Sequence, residues 1–389
     1  MSTYPPRHCG IATFTHDLAG AVGDREIVAL MSPEPPAPAP LPGQKTPHPL
    51  EIHHRIAREE RADYIRTARA LDRCVDVVSI QHEYGIWGGE DGAHVLEFAG
   101  ALDVPSVATL HTVRRTPTPH ERAILTELVA GVDATVVMSR SAATLLTTAY
   151  GVDASRVDII PHGVPDLPLV DPATMKPTLG LEGREVILSF GLLGPGKGYE
   201  LAIDALPAVV AEHPDACYVI VGATHPDRIL REGEKYRESL VARVKALGMT
   251  SHVRFVDRFV GRVELTRWLE GADVFVTPYP DLDQIVSGTL SYAMGAGRAI
   301  VSTPYAYASE QLADGRGILV QPGSPALLAA ALNQVLGDDE LRAALGRRAY
   351  EHSRRMVWSE VGAEYRHLFR RIGAGIRTSA ASTFAAANA

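Results

Sequence analysis

The sequence predicts an α/β protein made of two doubly wound domains in series, and three observations carry that prediction. Short β-branched runs alternate with amphipathic stretches over most of the chain, the pattern that parallel sheets with crossover helices require. The alternation occurs twice, with a proline- and aspartate-rich interruption at 160–175 between the two series. The chain has 389 residues, long enough for two domains of roughly 150 to 200 residues each.

Strands of the first series fall at 26–31, 75–81, 106–111, 134–139 and 157–161, separated by helices at 13–22, 59–71, 92–101, 118–129 and 140–149. Strands of the second series fall at 186–190, 217–221, 253–255, 274–278, 299–302 and 317–320, most of them followed by a helix. A doubly wound domain opens with a central strand, yet only Met1 to Tyr4 precede the turn-forming Pro5 and Pro6. The first strand is therefore expected to be short or clipped. The stretch 32–49 is too dense in proline for a central strand or a helix interior and reads as an exposed loop. The segment 160–175 reads as an interdomain linker, placing an N-terminal domain at 1–163 and a second domain at 164–355. The tail from Ala374 lacks a periodic pattern and is expected to be disordered.

Composition narrows the function classes. A net charge of -8 leaves no overall basic footprint for nucleic acid or an anionic membrane. Apolar runs such as 77–80 and 274–277 are strand-sized, far below the roughly 20 residues of a bilayer span, and the N-terminus lacks the apolar core of a secretory signal. The expected location is the cytoplasm. Cys9, Cys74 and Cys217 are odd in number, widely spaced and without a CxxC, which points to reduced thiols. His53 and His54 are adjacent but lack metal-ligand spacing in their surroundings, so no dedicated metal site is expected.

Candidate chemistry collects where strands end, the edge at which open α/β sheets bind ligands. Gly10 lies in the turn entering the first helix, where a residue without a Cβ lets a ligand come close. Gln81, His82, Glu83, Tyr84 and Trp87 follow the strand ending near Ile80, in a stretch with several glycines, and suit sugar binding through stacking and hydroxyl hydrogen bonds. His111 ends the next strand.

In the second half, Gly191-Leu192-Leu193-Gly194-Pro195-Gly196-Lys197-Gly198 runs from strand through glycine-rich turn to helix start. Backbone amides and one ammonium there form an anion site suited to phosphate. The turn is not a P-loop, because Gly198 follows the lysine where Ser or Thr is required. After the strand at 274–278, Ser287 is a credible N-cap, which would direct the amides of Gly288, Thr289 and Leu290 and the positive end of the helix dipole toward a diphosphate.

Taken in order, YPPRHCGIATF, VATLHT, IIPHGVPD, SFGLLGPGKG, SGTLSYAMGAGRAIVSTP, GRGILVQPGSP and a terminal helix near Trp358 resemble the glycosyltransferases of family 4 (group 1), with the closest likeness to their mannosyltransferase-like branch. The resemblance spans nearly the whole chain. It implies a GT-B fold, two Rossmann-like domains facing across a cleft, with acceptor on the first and nucleotide sugar on the second. It also implies a final helix, 356–373, crossing back to the N-terminal domain.

Lys197 matches the family's diphosphate-binding lysine, and His111 matches its histidine near the transferred sugar. Two departures stand out. Leu192 occupies the place of a family arginine, for which Arg258 is a candidate replacement. The family's two glutamates fall on Gln284, expected in the loop before the helix, and on Tyr292, which could reach a ribose hydroxyl only with its phenol. Neither supplies a carboxylate, so a retaining outcome does not follow automatically.

The resulting reading is a metal-independent hexosyltransferase needing no cofactor. It would move mannose from GDP-mannose, or another hexose from a UDP donor, to a saccharide or glycolipid acceptor. A GT-B epimerase and a non-catalytic sugar-nucleotide or glycan-binding protein are the alternatives, and turnover with release of nucleoside diphosphate separates enzyme from binder.

Overall fold

The computed structural model describes residues 1–31 and 51–375. The expected loop at 32–49 and the tail beyond 375 lie outside the described residues. The chain divides into two compact units, Met1–Gly163 together with the segment from Trp358, and Val164–Val357.

The first unit contains α1 (Gly10–Val22), β1 (Val28–Met31), β2 (His54–Ala57), α2 (Arg61–Leu71), β3 (Val78–His82), α3 (His94–Ala99), β4 (Ser106–Leu110), α4 (Pro119–Gly131), β5 (Ala134–Val137), α5 (Arg140–Tyr150) and β6 (Val157–Ile159). All strand pairings are parallel: β1 with β2, and β3 through β6 in order. The first few residues join these two groups. Ser2 bridges Ala29 in parallel, the Met1 amino group donates to Ser79 O at 2.8 Å, and Gln81 N donates to Met1 O at 3.0 Å. The expected short first strand is thus the sheet's centre. The chain winds outward from it through β1 and β2 on one side and through β3 to β6 on the other.

Strand β2 was not anticipated, because the sequence His-Arg-Ile-Ala buries only Ile56 and shows no apolar alternation. Helix α4 starts where expected: Thr118 Oγ1 accepts from Glu121 N, and the Glu121 carboxylate accepts from Thr118 N, a reciprocal cap of two free amide donors.

The C-terminal helix α14 (Trp358–Gly373) completes this unit. Its buried residues Trp358, Val361, Tyr365 and Leu368 recur at helical spacing along one stripe. Polar contacts fix the register: Tyr365 Oη meets Thr109 Oγ1 at 3.0 Å, Arg371 pairs with Asp158 at 2.6 Å, and Arg366 donates to Ala21 O.

The second unit contains β7 (Glu185–Phe190), α6 (Tyr199–Glu212), β8 (Ala216–Val221), α7 (Pro226–Glu232), α8 (Lys235–Ala246), β9 (Val253–Val256), α9 (Arg262–Glu270), β10 (Val274–Thr277), α10 (Gly288–Gly295), β11 (Ala299–Ser302), α11 (Ala306–Gln311), β12 (Ile318–Leu319), α12 (Pro325–Gly337) and α13 (Asp339–Ser353). Its sheet is wholly parallel, in the order β12-β11-β10-β7-β8-β9. Alternate strand residues feed two cores, Val186, Leu188 and Phe275 on one face, Ile187, Val274 and Val276 on the other. Burial on both faces explains why these strands read as continuous apolar runs. The order reverses between β7 and β10, so the loops leaving those two strands flank a topological switch point, where open α/β sheets bind ligands.

The seat of α14 is testable at Gly362, where an added Cβ would stand 2.7 Å from both Ala21 Cβ and Ala21 O. Gly362→Val should destabilise the protein by roughly 1 to 3 kcal/mol, the usual range for overpacking. Gly20→Ala, whose Cβ would meet nothing within 4 Å, should be neutral or stabilising by up to about 1 kcal/mol because glycine is unfavourable inside a helix. Urea unfolding of both variants against wild type checks the contrast.

Candidate active site

In the second unit, the turn after β7 and the start of α10 after β10 meet at the switch point. Gly198 makes the close passage possible. Its φ is +68°, and a Cβ there would stand 2.0 Å from Pro278 O. The backbone following β7 thereby lies against the backbone following β10. Across the same gap, a Cβ on Gly191 would stand 3.5 Å from Thr289 Cγ2.

The Lys197 ammonium sits 4.4 Å from the Tyr279 ring centroid, within the range where the electron-rich face attracts a cation. Among the described residues it enters no ion pair. Tyr279 is buried, stacks on Tyr305 with centroids 5.1 Å apart and planes 18° from parallel, and joins its hydroxyl to Thr289 Oγ1 at 2.9 Å. Ser287 caps α10: its Oγ accepts from Leu290 N at 3.3 Å and lies 3.1 Å from Thr289 Oγ1. An ammonium, a glycine-rich turn and a capped helix N-terminus thus share one rim, an arrangement that physically favours an anion. Tyr279, which links them, was missed in the sequence. Nothing local distinguishes it from any other tyrosine after a buried strand.

The remaining candidates in this unit take separate positions. Arg258 is held by both oxygens of Glu264 at 2.6 Å each, so its charge is matched by a carboxylate in this arrangement. A different guanidinium reaches the glycine-rich turn. Arg228, ion-paired with Glu232, brings its Nε to 3.3 Å from where a Cβ of Gly194 would stand. Gln284 does lie in the loop before α10, and its Nε2 donates to Val286 O at 2.8 Å. Tyr292 is buried on α10 against Phe190, with centroids 6.3 Å apart.

In the first unit, the corresponding switch point lies between the short first strand and β3. Gly10 opens α1, and an added Cβ would meet nothing within 4 Å, so the space over this residue is open. Gln81 and His111 meet there. Gln81 Nε2 donates to Ser79 Oγ at 3.2 Å, which turns Gln81 Oε1 toward His111 Nε2 at 2.9 Å. His111 therefore carries its proton on Nε2 and leaves Nδ1 as an acceptor. Phe14 of α1 sets its ring edge-on against His111 at 4.9 Å and against His162 at 5.1 Å. Burial pushes His111 down to about 3, helped by the nearby His162 and His82, and pushes His82 and His162 down to about 4 each. All three are neutral near pH 7.

The loop after β3 is largely a packing element, which corrects its reading as a sugar-facing surface. Trp87 is fully buried, donates its indole N–H to Gln81 O at 3.0 Å and stacks on Tyr64. Tyr84 is buried with its hydroxyl on Glu121 O at 3.3 Å, and His82 is fully buried against the Tyr84 ring. The adjacent glycines serve close packing: a Cβ on Gly88 would stand 1.8 Å from Arg58 O. Gln81 and Glu83 remain in position to serve His111 and its neighbour. Thr112 donates to the Glu83 carboxylate, whose pKa burial raises. Sequence periodicity could not distinguish buried aromatics from exposed ones in so short a loop.

Comparison with known proteins fits this architecture. Residues 9–166 match the family described as Glycosyltransferase Family 4, and residues 172–352 match Glycosyl transferases group 1. A phosphatidyl-myo-inositol mannosyltransferase of Mycolicibacterium smegmatis is 30% identical over 281 residues, covering 71% of this chain and 68% of that protein. A D-inositol 3-phosphate glycosyltransferase of a Nocardioides species is 28% identical, over 87% of this chain and 74% of that one. The crystal structure of Anabaena HepE in complex with UDP and glucose superposes with a TM-score of 0.73 over 94% of this chain and 97% of that one, at 16% identity. The chain has the GT-B fold and is a glycosyltransferase of family 4, group 1. No helix among its described residues is long and apolar enough to cross a membrane.

The neutral histidine cluster sets a pH dependence. A histidine whose folded pKa is depressed binds its proton more readily when unfolded, so stability falls as pH drops below about 6.5 and continues to fall toward about 4. With His82, His111 and His162 acting together, the slope in that window should approach about three protons, or ~4 kcal/mol per pH unit. His82→Gln should reduce the slope by about one proton, measured by urea unfolding between pH 4 and 7.

Proposed function

We propose that the protein transfers a hexose from a nucleoside diphosphate sugar to a saccharide or glycolipid acceptor, without a metal, and that GDP-mannose is the donor. The observation that carries this reading is the meeting of the Lys197 turn and the capped start of α10 at the switch point of the second unit. A diphosphate there would take hydrogen bonds from the amides of Gly288 and Thr289, the Leu290 amide being held by the Ser287 cap, and lie beside the Lys197 ammonium. Such preorganised donors stabilise the charge that develops as a phosphate leaves. The mannosyltransferase relative favours mannose. The UDP and glucose in the HepE structure make a UDP-hexose the second reading.

His111 acts in this scheme as a neutral group. With Nε2–H committed to Gln81, the lone pair on Nδ1 can accept a hydrogen bond from a sugar hydroxyl. Gln81 is a positioning residue, since it sets which nitrogen is available. Gln284 offers an amide in place of the family carboxylate, and Tyr292 a phenol.

A thermal-shift panel of GDP, UDP, ADP and dTDP tests the donor, because a ligand that binds only the folded state raises its apparent stability. GDP should give the largest rise, a larger rise with UDP would transfer the reading to a UDP-hexose, and no rise with any of the four would contradict it. Lys197→Ala should remain folded and lose transfer by on the order of a hundredfold. A near-wild-type kcat at saturating donor would remove Lys197 from the reaction.

Gln284→Glu should lower activity, because a carboxylate cannot donate to Val286 O and would repel it. A gain in initial transfer rate would show that the amide is not adapted to this loop.

A further inference from the structure

Glu26, His54 and Cys74 are far apart in sequence but gather at the outer edge of the first unit's sheet. Glu26 lies just before β1, His54 opens β2, and Cys74 follows the end of α2. His54 Nε2 is 3.1 Å from Glu26 Oε2, Cys74 Sγ is 3.8 Å from the same oxygen, and the three ligand atoms all lie within 4.8 Å of one another.

An imidazole nitrogen, a carboxylate oxygen and a thiol sulfur are three of the donors that zinc takes. Tetrahedral zinc with ordinary bond lengths separates nitrogen from oxygen by about 3.4 Å and sulfur from oxygen by about 3.6 Å. The two pairs that share Glu26 Oε2 need to move only a few tenths of an ångström, while the thiol and imidazole lie within 4.8 Å of each other and close further on a shared ion.

The two adjacent histidines are divided between tasks. His53 Nδ1 accepts from Ile27 N at 3.2 Å, while His54 turns its Nε2 to Glu26. His54 is further anchored by its own N–H on Ile27 O at 3.1 Å. Without a cation, the exposed Cys74 thiol has only long contacts, to Ala70 O at 3.3 Å, Leu71 O at 3.6 Å and the Glu26 carboxylate. Partial desolvation, and then the Glu26 carboxylate, raise the pKa of this thiol. A bound divalent cation inverts that shift.

We propose that Glu26, His54 and Cys74 bind one zinc ion with a water as fourth ligand, fastening edge strand β2 and the end of α2 to the start of β1. On binding, the S–H bond breaks, the proton passes to solvent and the sulfur lone pair forms the Zn–S bond. The site is separate from the proposed transfer site, and its function is structural. Among the described residues a second cluster, Glu90, Asp91 and His120, offers oxygen and imidazole but no sulfur, so sulfur ligation distinguishes the two.

The test is titration of the full, reduced chain with Co²⁺ as a spectroscopic probe, followed by Zn²⁺ competition. One equivalent should produce a thiolate-to-cobalt charge-transfer band that Zn²⁺ abolishes, and Zn²⁺ should raise the Tm. Cys74→Ser should remove the band, whereas Cys9→Ser should retain it. His54→Ala should weaken binding by at least the roughly 10- to 100-fold typical of losing an outer-shell partner. Circular dichroism of each variant confirms folding, and the two ligand positions, His54 and Cys74, lie outside the transfer site. No binding, binding without the band, or a band unchanged in Cys74→Ser would overturn the assignment.

Discussion

The second unit's site depends on one buried tyrosine. Tyr279 offers its ring face to the Lys197 ammonium and its hydroxyl to Thr289 at the start of α10. The turn after β7 and the helix after β10 are thereby fixed to the same side chain. Tyr305 supports that side chain from behind by stacking, and Gly198 lets the two backbones approach closely enough for the contact to exist. An ammonium on a flexible four-carbon stem is costly to immobilise. A ring face attracts it without neutralising it, which a carboxylate would do. The charge therefore remains available to an anion.

The first unit obtains its site by the opposite means. Charge is removed from it: His82, His111 and His162 are buried and held neutral. A hydrogen-bond chain from Ser79 through Gln81 fixes the tautomer of His111. A neutral imidazole in a set orientation suits hydroxyl recognition, whereas the half-buried ammonium of the second unit suits a diphosphate. The two proposed roles require these different electrostatic environments.

Much of the fold was legible because both sheets are parallel and their strands are apolar runs bounded by turns. The motif residues Gly10, Gln81, His111, Lys197 and Ser287 all fall at strand exits or helix starts for the same reason. What escaped notice depended on contacts distant in sequence. Strand β2 is a polar edge strand with no apolar alternation, and the first strand is recognisable only through its partners, β1 and β3. The aromatic residues after β3 looked like a sugar platform, but Trp87 is buried beneath the turn, where it hydrogen-bonds Gln81 O. Arg258 looked like a spare cation until Glu264, six residues later, took both its terminal nitrogens. The gathering of Glu26, His54 and Cys74 was invisible for the same reason, since the three approach one another only in the folded sheet.

The most direct test of the account is the coupling between Lys197 and Tyr279, measured as nucleoside diphosphate affinity in wild type, Lys197→Ala, Tyr279→Leu and the double variant. If the ring positions the ammonium for the diphosphate, the two losses overlap, and the interaction energy should be about 1 kcal/mol. Tyr279→Phe, which keeps the ring and removes only the hydroxyl bond to Thr289, should bind more tightly than Tyr279→Leu. Additive losses, with the phenylalanine and leucine variants equally weakened, would contradict the claim that this cation and this ring form a single anion-binding device.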